Sequence, residues 1–370
     1  MNKKILILGT GNAQEDIIRY CKEQGLEVHA CSYKKGDKAE KYVDRFSLIN
    51  IIDVEKVKEY ITENKIDYVY SVGSDIAMPT VTKVAEELNL PAFTTPETAY
   101  ICNNKNVLRE YLGQNFEGNL NYCVLTEKPE EISLEFPLIM KPVDSQGQRG
   151  VIKVYDIEEL KSNFDISMSY SNIKKVIVEE FVDGDEISVN TFMKDGKMVF
   201  SLVSDREVWE DFPGGIIRKH ILPSKYSGQE TEGKILDLVN RVLVKLDIKN
   251  GPAYLQIKMK NGVEPKLLEV TPRLDGCHMW RVIKEYTGID LLASSVDLLT
   301  GKEVELSYDR PLLRGASLEF MCAAPGTQFC KEKYCTDYSR FIKYYYEDGE
   351  VVKRMNGYME KCGYIIRGSK

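Results

Sequence analysis

Two short runs decide the fold: Ala253-Tyr254-Leu255-Gln256-Ile257 and, past an Asn261-Gly262 turn, Leu267-Leu268-Glu269-Val270-Thr271-Pro272-Arg273. Asn-Gly between alternating apolar runs is a strong signal for a β-hairpin. The hairpin predicts Gln256 and Glu269 at facing positions. Oxygen ligands on facing strands are what Mg²⁺ requires, with substrate phosphates and water completing the octahedron. Pro272-Arg273 directly afterwards sets a guanidinium beside that place. The bland alternatives are a cross-strand Gln–Glu hydrogen bond and a surface arginine, and the residues upstream weigh against both.

Upstream, Lys141 sits inside the apolar run Phe136-Pro137-Leu138-Ile139-Met140-Lys141-Pro142. Three residues later begins the loop Asp144-Ser145-Gln146-Gly147-Gln148-Arg149-Gly150. Small polar residues of this kind can approach phosphates through backbone N–H groups. A second lysine, Lys105, lies between asparagines at the start of the middle region. In Val178-Glu179-Glu180-Phe181-Val182-Asp183-Gly184-Asp185-Glu186 the acids flank two apolar residues and precede a strand. Such a backbone can offer a purine one acceptor and one donor, with a carboxylate at a fixed offset for ribose hydroxyls.

The first hundred residues alternate strand and helix: strands at 5–8, 27–32, 46–49 and 68–72, helices at 13–24, from Asp53 to Thr62, and on to Leu88. That rhythm predicts a parallel sheet covered on both faces. Gly9-Thr10-Gly11-Asn12 opens the first helix, but Gln14 occupies the third-glycine position of a dinucleotide fingerprint, so the reading is a tight turn. Ser74 and Asp75, after the fourth strand, stand at the carboxyl end of the sheet, where ligands of such sheets bind. Beyond the 179–186 segment, Asp195-Gly196 predicts a hairpin of strands 186–193 and 199–205, followed by a strand at 215–222 and a helix at 231–246.

The chain has 370 residues, 43% of them hydrophobic and 29% charged, with a net charge of −7. These values describe a globular protein of two or three domains and exclude a basic nucleic-acid binder. No apolar run approaches a membrane span, and the first strand is too short for a signal-peptide core, so a cytoplasmic protein is expected. Nine scattered cysteines with no C-x-x-C pair predict reduced thiols, and three histidines argue against a zinc site built on imidazoles.

Taken together, the motifs resemble those of the ATP-grasp superfamily in order and spacing, over nearly the whole chain. The resemblance implies α/β and α+β architecture. A pre-ATP-grasp, Rossmann-like parallel-sheet domain (1–102) would precede a two-lobed ATP-grasp domain (103–305, lobes 103–178 and 179–305) and a small C-terminal module (306–370). It also implies ATP and Mg²⁺, with Mn²⁺ as a substitute. Lys105 and Lys141 would bind phosphates, and Ser145, Gln146 and Gly147 would form the flap. Glu179, Glu180, Phe181 and Val182 would form the adenine hinge with backbone contacts at Glu180 and Val182, and Glu186 would bind ribose. Gln256 and Glu269 match the metal pair, while Thr271 replaces the family's asparagine ligand and weakens the second metal position.

The implied reaction phosphorylates a small carboxylate, such as an amino acid, and lets an amine or thiol displace the phosphate. Arg273, with Lys141 and Arg218, would carry the chemistry. Ser74, Asp75, Arg206, His220, Asp275 and His278 would meet the substrates, and Arg206 could equally pair with its neighbours Asp205 or Glu207. Small-molecule carboxylate and amine substrates are the implied partners; no nucleic acid or membrane is expected, and a homodimer is compatible. The tail, Arg314 to Phe320 with Ala324-Pro325-Gly326, resembles the end module of amino-acid and peptide ligases. The competing readings are a bicarbonate-using carboxylase or carbamoyl-phosphate-synthetase-like enzyme, a non-catalytic nucleotide-binding sensor, and an NAD-dependent dehydrogenase.

Overall fold

The computed structural model describes residues 2–144, 149–209, 216–334, 339–354 and 359–369. Its front layer is a parallel sheet of β1 (Lys4–Leu8), β2 (Glu27–Ser32), β3 (Arg45–Leu48) and β4 (Tyr68–Tyr70), in the order β3-β2-β1-β4. β1 shows why its run is uniformly apolar. Ile5 and Ile7 pack toward α1 (Glu15–Glu23), whereas Leu6 and Leu8 pack toward α2 (Val54–Asn64) and α3 (Met78–Leu88). A parallel strand buried on both faces needs apolar residues at every position. In the first turn, the Gln14 side chain folds back: the Gly11 N–H donates to its Oε1 at 3.0 Å, and its Nε2 donates to the Val72 carbonyl. Gln14 thus closes the turn at the fingerprint's third-glycine position.

A helix absent from the sequence reading, α4 (Pro96–Asn103), follows. Thr95 caps it, accepting from the Thr98 N–H, and Pro96 occupies its first turn, where a missing N–H costs nothing. Helix α5 (Lys105–Leu112) then begins at Lys105 itself.

The small lobe is an antiparallel sheet of β5 (Tyr122–Leu125), β6 (Leu138–Pro142), β7 (Ile152–Val154) and β8 (Val176–Glu180), in the order β5-β8-β6-β7. Leu138, Met140, Val176 and Val178 form its core with Leu160 and Phe164 of α6 (Ile157–Ser169). Alternation along a strand then sends Lys141 and Glu179 to the other face.

The large sheet runs β13-β12-β9-β10-β11-β14-β16-β15. It comprises β9 (Gly184–Lys194), β10 (Lys197–Val208), β11 (Ile217–Leu222), β12 (Gly251–Lys260), β13 (Glu264–Thr271), β14 (Gly315–Ala323), β15 (Ser339–Tyr344) and β16 (Glu360–Ser369). Ile187, Val189, Leu255 and Ile257 pack with Leu238 and Val242 of α7 (Glu230–Lys245), so the opposite face carries Glu186, Ser188, Arg206 and Gln256. Helices α8 (Met279–Thr287) and α9 (Leu291–Leu299) join the front domain to the sheet through a core that includes Ile17, Trp280, Leu318 and Tyr364. The strands of residues 306–370 extend the large sheet through β11 and β14. Among the described residues no helix is long and apolar enough to cross a membrane.

Candidate active site

The hairpin of β12 and β13 places Gln256 directly opposite Glu269. Gln256 donates through Nε2 to Glu186 on β9, which leaves its carboxamide oxygen as the atom able to ligate a cation. Thr271, on the same face as Glu269, holds a buried hydroxyl without a hydrogen-bond partner. A carboxylate, a carboxamide oxygen and an orphaned hydroxyl form an oxygen-only donor set, which fits a hard cation such as Mg²⁺. Burial and the neighbouring Asp75 raise the pKa of Glu269, while Lys105, Arg273 and Lys141 pull it down. All four of these charged groups thus act on the Glu269 carboxylate.

Arg273 is buried and paired with Asp75 of the front domain, its Nε lying 2.8 Å from Oδ1. It also donates to the Leu274 carbonyl at 3.0 Å. The loops carrying these partners touch: a Cβ on Gly73, whose φ is +65°, would lie 2.7 Å from the Cα of Gly276. Ser74 leads directly into the short helical turn Asp75–Ala77.

On the small lobe, Lys141 Nζ lies 2.5 Å from Glu179 Oε2. Glu179 is buried, and its Oε1 accepts from Arg109 Nε at 2.9 Å. The same guanidinium donates to Asn119 Oδ1 at 3.2 Å and to the Leu268 carbonyl at 2.9 Å. Sequence reading missed Arg109 and Asn119. The available signal was the spacing of Lys105 and Arg109, four residues apart on one helix. In the hinge, the N–H groups of Glu180 and Phe181 donate to Asn121 and Pro137 carbonyls, and Val182 is buried behind them. The ammonium of Lys153, also missed, lies 3.4 Å from the centre of the Phe181 ring.

Arg206 pairs with Glu186, not with the alternative partners Asp205 or Glu207. Adjacent residues on a strand point to opposite faces, whereas Glu186 is a cross-strand neighbour. Beside it, His220 is fully buried, 3.4 Å from Ser204 Oγ and 3.9 Å from Asp275 Oδ2. Burial first, then Arg206 and Lys361, push its pKa well below the usual value, so it is neutral. Lys361 Nζ lies 3.6 Å from Cys277 Sγ.

Two residues stand apart from these groups. Arg218 is exposed, with its guanidinium carbon 5.4 Å from the Trp209 ring centre. His278 precedes α8 in a left-handed conformation, bonded to the Tyr345 hydroxyl at 2.6 Å and stacked on Tyr364. Grouped with the substrate residues in the sequence, it is buried among aromatic rings, with its Nδ1 3.7 Å from Asp16 Oδ2. Ser145, Gln146 and Gly147 lie outside the described residues.

A family model described as an ATP-grasp domain matches residues 134–279, the span that holds Lys141, Glu179, Glu186, Gln256 and Glu269. Over that span the chain matches the ATP-grasp domain. Its relatives include an ATP-grasp enzyme of Aspergillus fumigatus, 23% identical over 57% of this chain and 42% of that protein. Phosphoribosylamine–glycine ligase of Pyrococcus furiosus is 28% identical over 53% of this chain and 46% of that protein. The chain thus spans somewhat under half the length of these ATP-grasp relatives. Among solved structures, the L-amino acid ligase from Bacillus licheniformis aligns with a TM-score of 0.81 at 22% identity, covering 100% of this chain and 93% of the other. N5-carboxyaminoimidazole synthetase from Staphylococcus aureus, complexed with ADP, aligns at 0.79 and 14% identity over 100% and 95% of the two chains. At these identities the likeness shows the ATP-grasp fold.

Proposed function

We propose that this ATP-grasp chain is an ADP-forming ligase that phosphorylates a small carboxylate and joins it to an amine. The observation that carries the reading is Glu269 set opposite Gln256, with Lys105, Lys141 and the paired Arg273 and Asp75 acting on its charge. A nucleotide triphosphate needs its charge neutralised before its γ-phosphate can be transferred. Lys105 and Lys141 supply positive charge from the small-lobe side. Gln256, Glu269 and Thr271 would hold Mg²⁺, which when bound neutralises phosphate oxygens. Arg273, fixed by Asp75, presents a permanent cation to the oxygens on which charge develops, the kind of preorganised group that favours a transition state. The hinge 179–182 would hold adenine. Closure of the two lobes would exclude water from the acyl-phosphate, which the amine then attacks as phosphate leaves. An amine that enters deprotonated needs no general base, and His220, held neutral by burial beside Arg206 and Lys361, is poorly suited to be one.

Release of ADP from Mg-ATP across a panel of amino acids, with and without bicarbonate, tests the reading. Turnover that needs an amino acid is the expected result. Turnover with bicarbonate alone would make the chain a carboxylase, and tight ATP binding with no turnover under any condition would make it a sensor. Lys141→Ala and Glu269→Ala are each expected to lower turnover by at least about a thousandfold, the scale of losing a charge stabiliser, while keeping the wild-type circular dichroism spectrum. Near-wild-type activity in either would remove that residue from the site.

A further inference from the structure

We propose that Arg109 is a charge-balancing and positioning residue that keeps the Lys141 site net positive for the phosphates of a nucleotide; this rests on the nucleotide reading above. Arg109, Glu179 and Lys141 form one buried group, with side chains 1%, 2% and 11% exposed. Each carboxylate oxygen is assigned: Oε1 to Arg109 Nε at 2.9 Å and Oε2 to Lys141 Nζ at 2.5 Å. Two cations share one anion, so the trio carries a single net positive charge. Without Arg109, Lys141 and Glu179 would be a neutral pair, and the carboxylate would cancel most of the ammonium's field at an approaching phosphate. In a poorly screened interior that cancellation is large.

The residue type suits the task. A guanidinium keeps its charge under every biological condition, and its donors form a rigid fork. Here the fork uses three directions: Glu179 on β8, Asn119 in the connection after α5, and the Leu268 carbonyl on β13. Leu268 immediately precedes Glu269, and the helix that bears Arg109 begins at Lys105. One guanidinium therefore ties together the segments that carry Lys105, Lys141 and Glu269.

The test is calorimetric titration of Mg-AMPPNP into the wild type, Arg109→Met, Arg109→Lys and the double variant Arg109→Met/Glu179→Gln, with folding checked by circular dichroism. Arg109→Met is expected to weaken binding at least about tenfold, because a buried charge is lost near a polyanion. Arg109→Lys keeps the charge but gives up the fork, and should lose clearly less affinity than Arg109→Met. The double variant removes the anion with the cation, leaves Lys141 uncompensated, and should regain most of the lost affinity.

A purely structural Arg109 predicts the reverse: the double variant, which also lacks the Asn119 and Leu268 bonds, would bind no better than Arg109→Met. That result overturns the proposal, as does wild-type affinity in Arg109→Met. Equal loss in Arg109→Lys and Arg109→Met also overturns it, since the fork and not the charge would then matter. If Arg109→Met does not fold, Arg109→Lys and the double variant decide: modest losses at most in both support the proposal, and large losses in either reject it. If the wild type itself does not bind Mg-AMPPNP, the nucleotide reading falls and this inference falls with it.

Discussion

Glu179 is a carboxylate held between two cations out of reach of water. Burial alone would raise its pKa, but Lys141 and Arg109 outweigh burial and hold it at about 2. A folded-state pKa below the unfolded value stabilises the fold above the unfolded pKa, and the contribution disappears as pH falls through the folded one. The urea midpoint is therefore expected to drop as pH is lowered from about 4.5 toward 2. Glu179→Gln should flatten that limb and lower stability at neutral pH by about 3–5 kcal/mol, the cost of stranding buried charge. An unchanged acid limb in this variant would show that Glu179 is not held as the structure has it. At this scale the chain was partly legible. Lys141 stood out because a lysine inside an apolar strand is followed closely by a small polar loop, an arrangement suited to phosphates. Arg109 did not, because a helix sequence says which residues share a face but not what that face meets.

At the scale of elements, the hairpins were readable from their Asp-Gly and Asn-Gly turns, and alternation brought Gln256 opposite Glu269 as expected. The pairing of β9 with β12 was not readable, because those strands are separated by β10, β11 and α7. Their close approach depends on Gly184, which adopts φ +149°, and where a Cβ would collide with the Met259 carbonyl oxygen. Glu186 lies two residues further along β9, so the collision would pass directly to the ion pair with Arg206 and the bond from Gln256. Gly184→Ala is expected to cost about 2–4 kcal/mol in stability, the range for forced backbone strain and displacement. It should also weaken Mg-AMPPNP binding; calorimetry measures both. A variant as stable as the wild type would mean that the two strands have room to spare. Helix α4 escaped notice for a different reason. Its buried residues, Thr98, Ala99, Ile101 and Cys102, are small or polar as often as apolar, and leave no clear stripe.

Across the whole molecule, the front domain, the large sheet and the last strands share one core. Ile5 and Ile17 from the front, Trp280 and Tyr286 from α8, and Leu318 and Tyr364 from the C-terminal strands belong to the same cluster. Asp16 adds polar ties, accepting from Trp280 Nε1 and Arg281 Nη2 at 3.1 Å each. Ending the chain at Glu305 would leave β11 an unpaired edge and expose the inner side of that core, and both conditions favour aggregation. A 1–305 fragment is expected to elute from size exclusion as aggregate. A folded monomer of that length would show that the C-terminal strands are an independent module.

Local pattern settled much of this protein before any coordinates. Period-two and helical repeats, two hairpin turns and a few out-of-place charges were enough for the alternating front sheet and the facing Gln256 and Glu269. These properties live within a dozen neighbouring residues, so they can be read there. Only the tertiary structure decided which charges meet. Arg109 and Glu179 are 70 positions apart, and Arg273 and Asp75 are 198 apart. No local period spans such distances; burial of three apolar faces against one another brings those partners together and selects which charge each carboxylate holds.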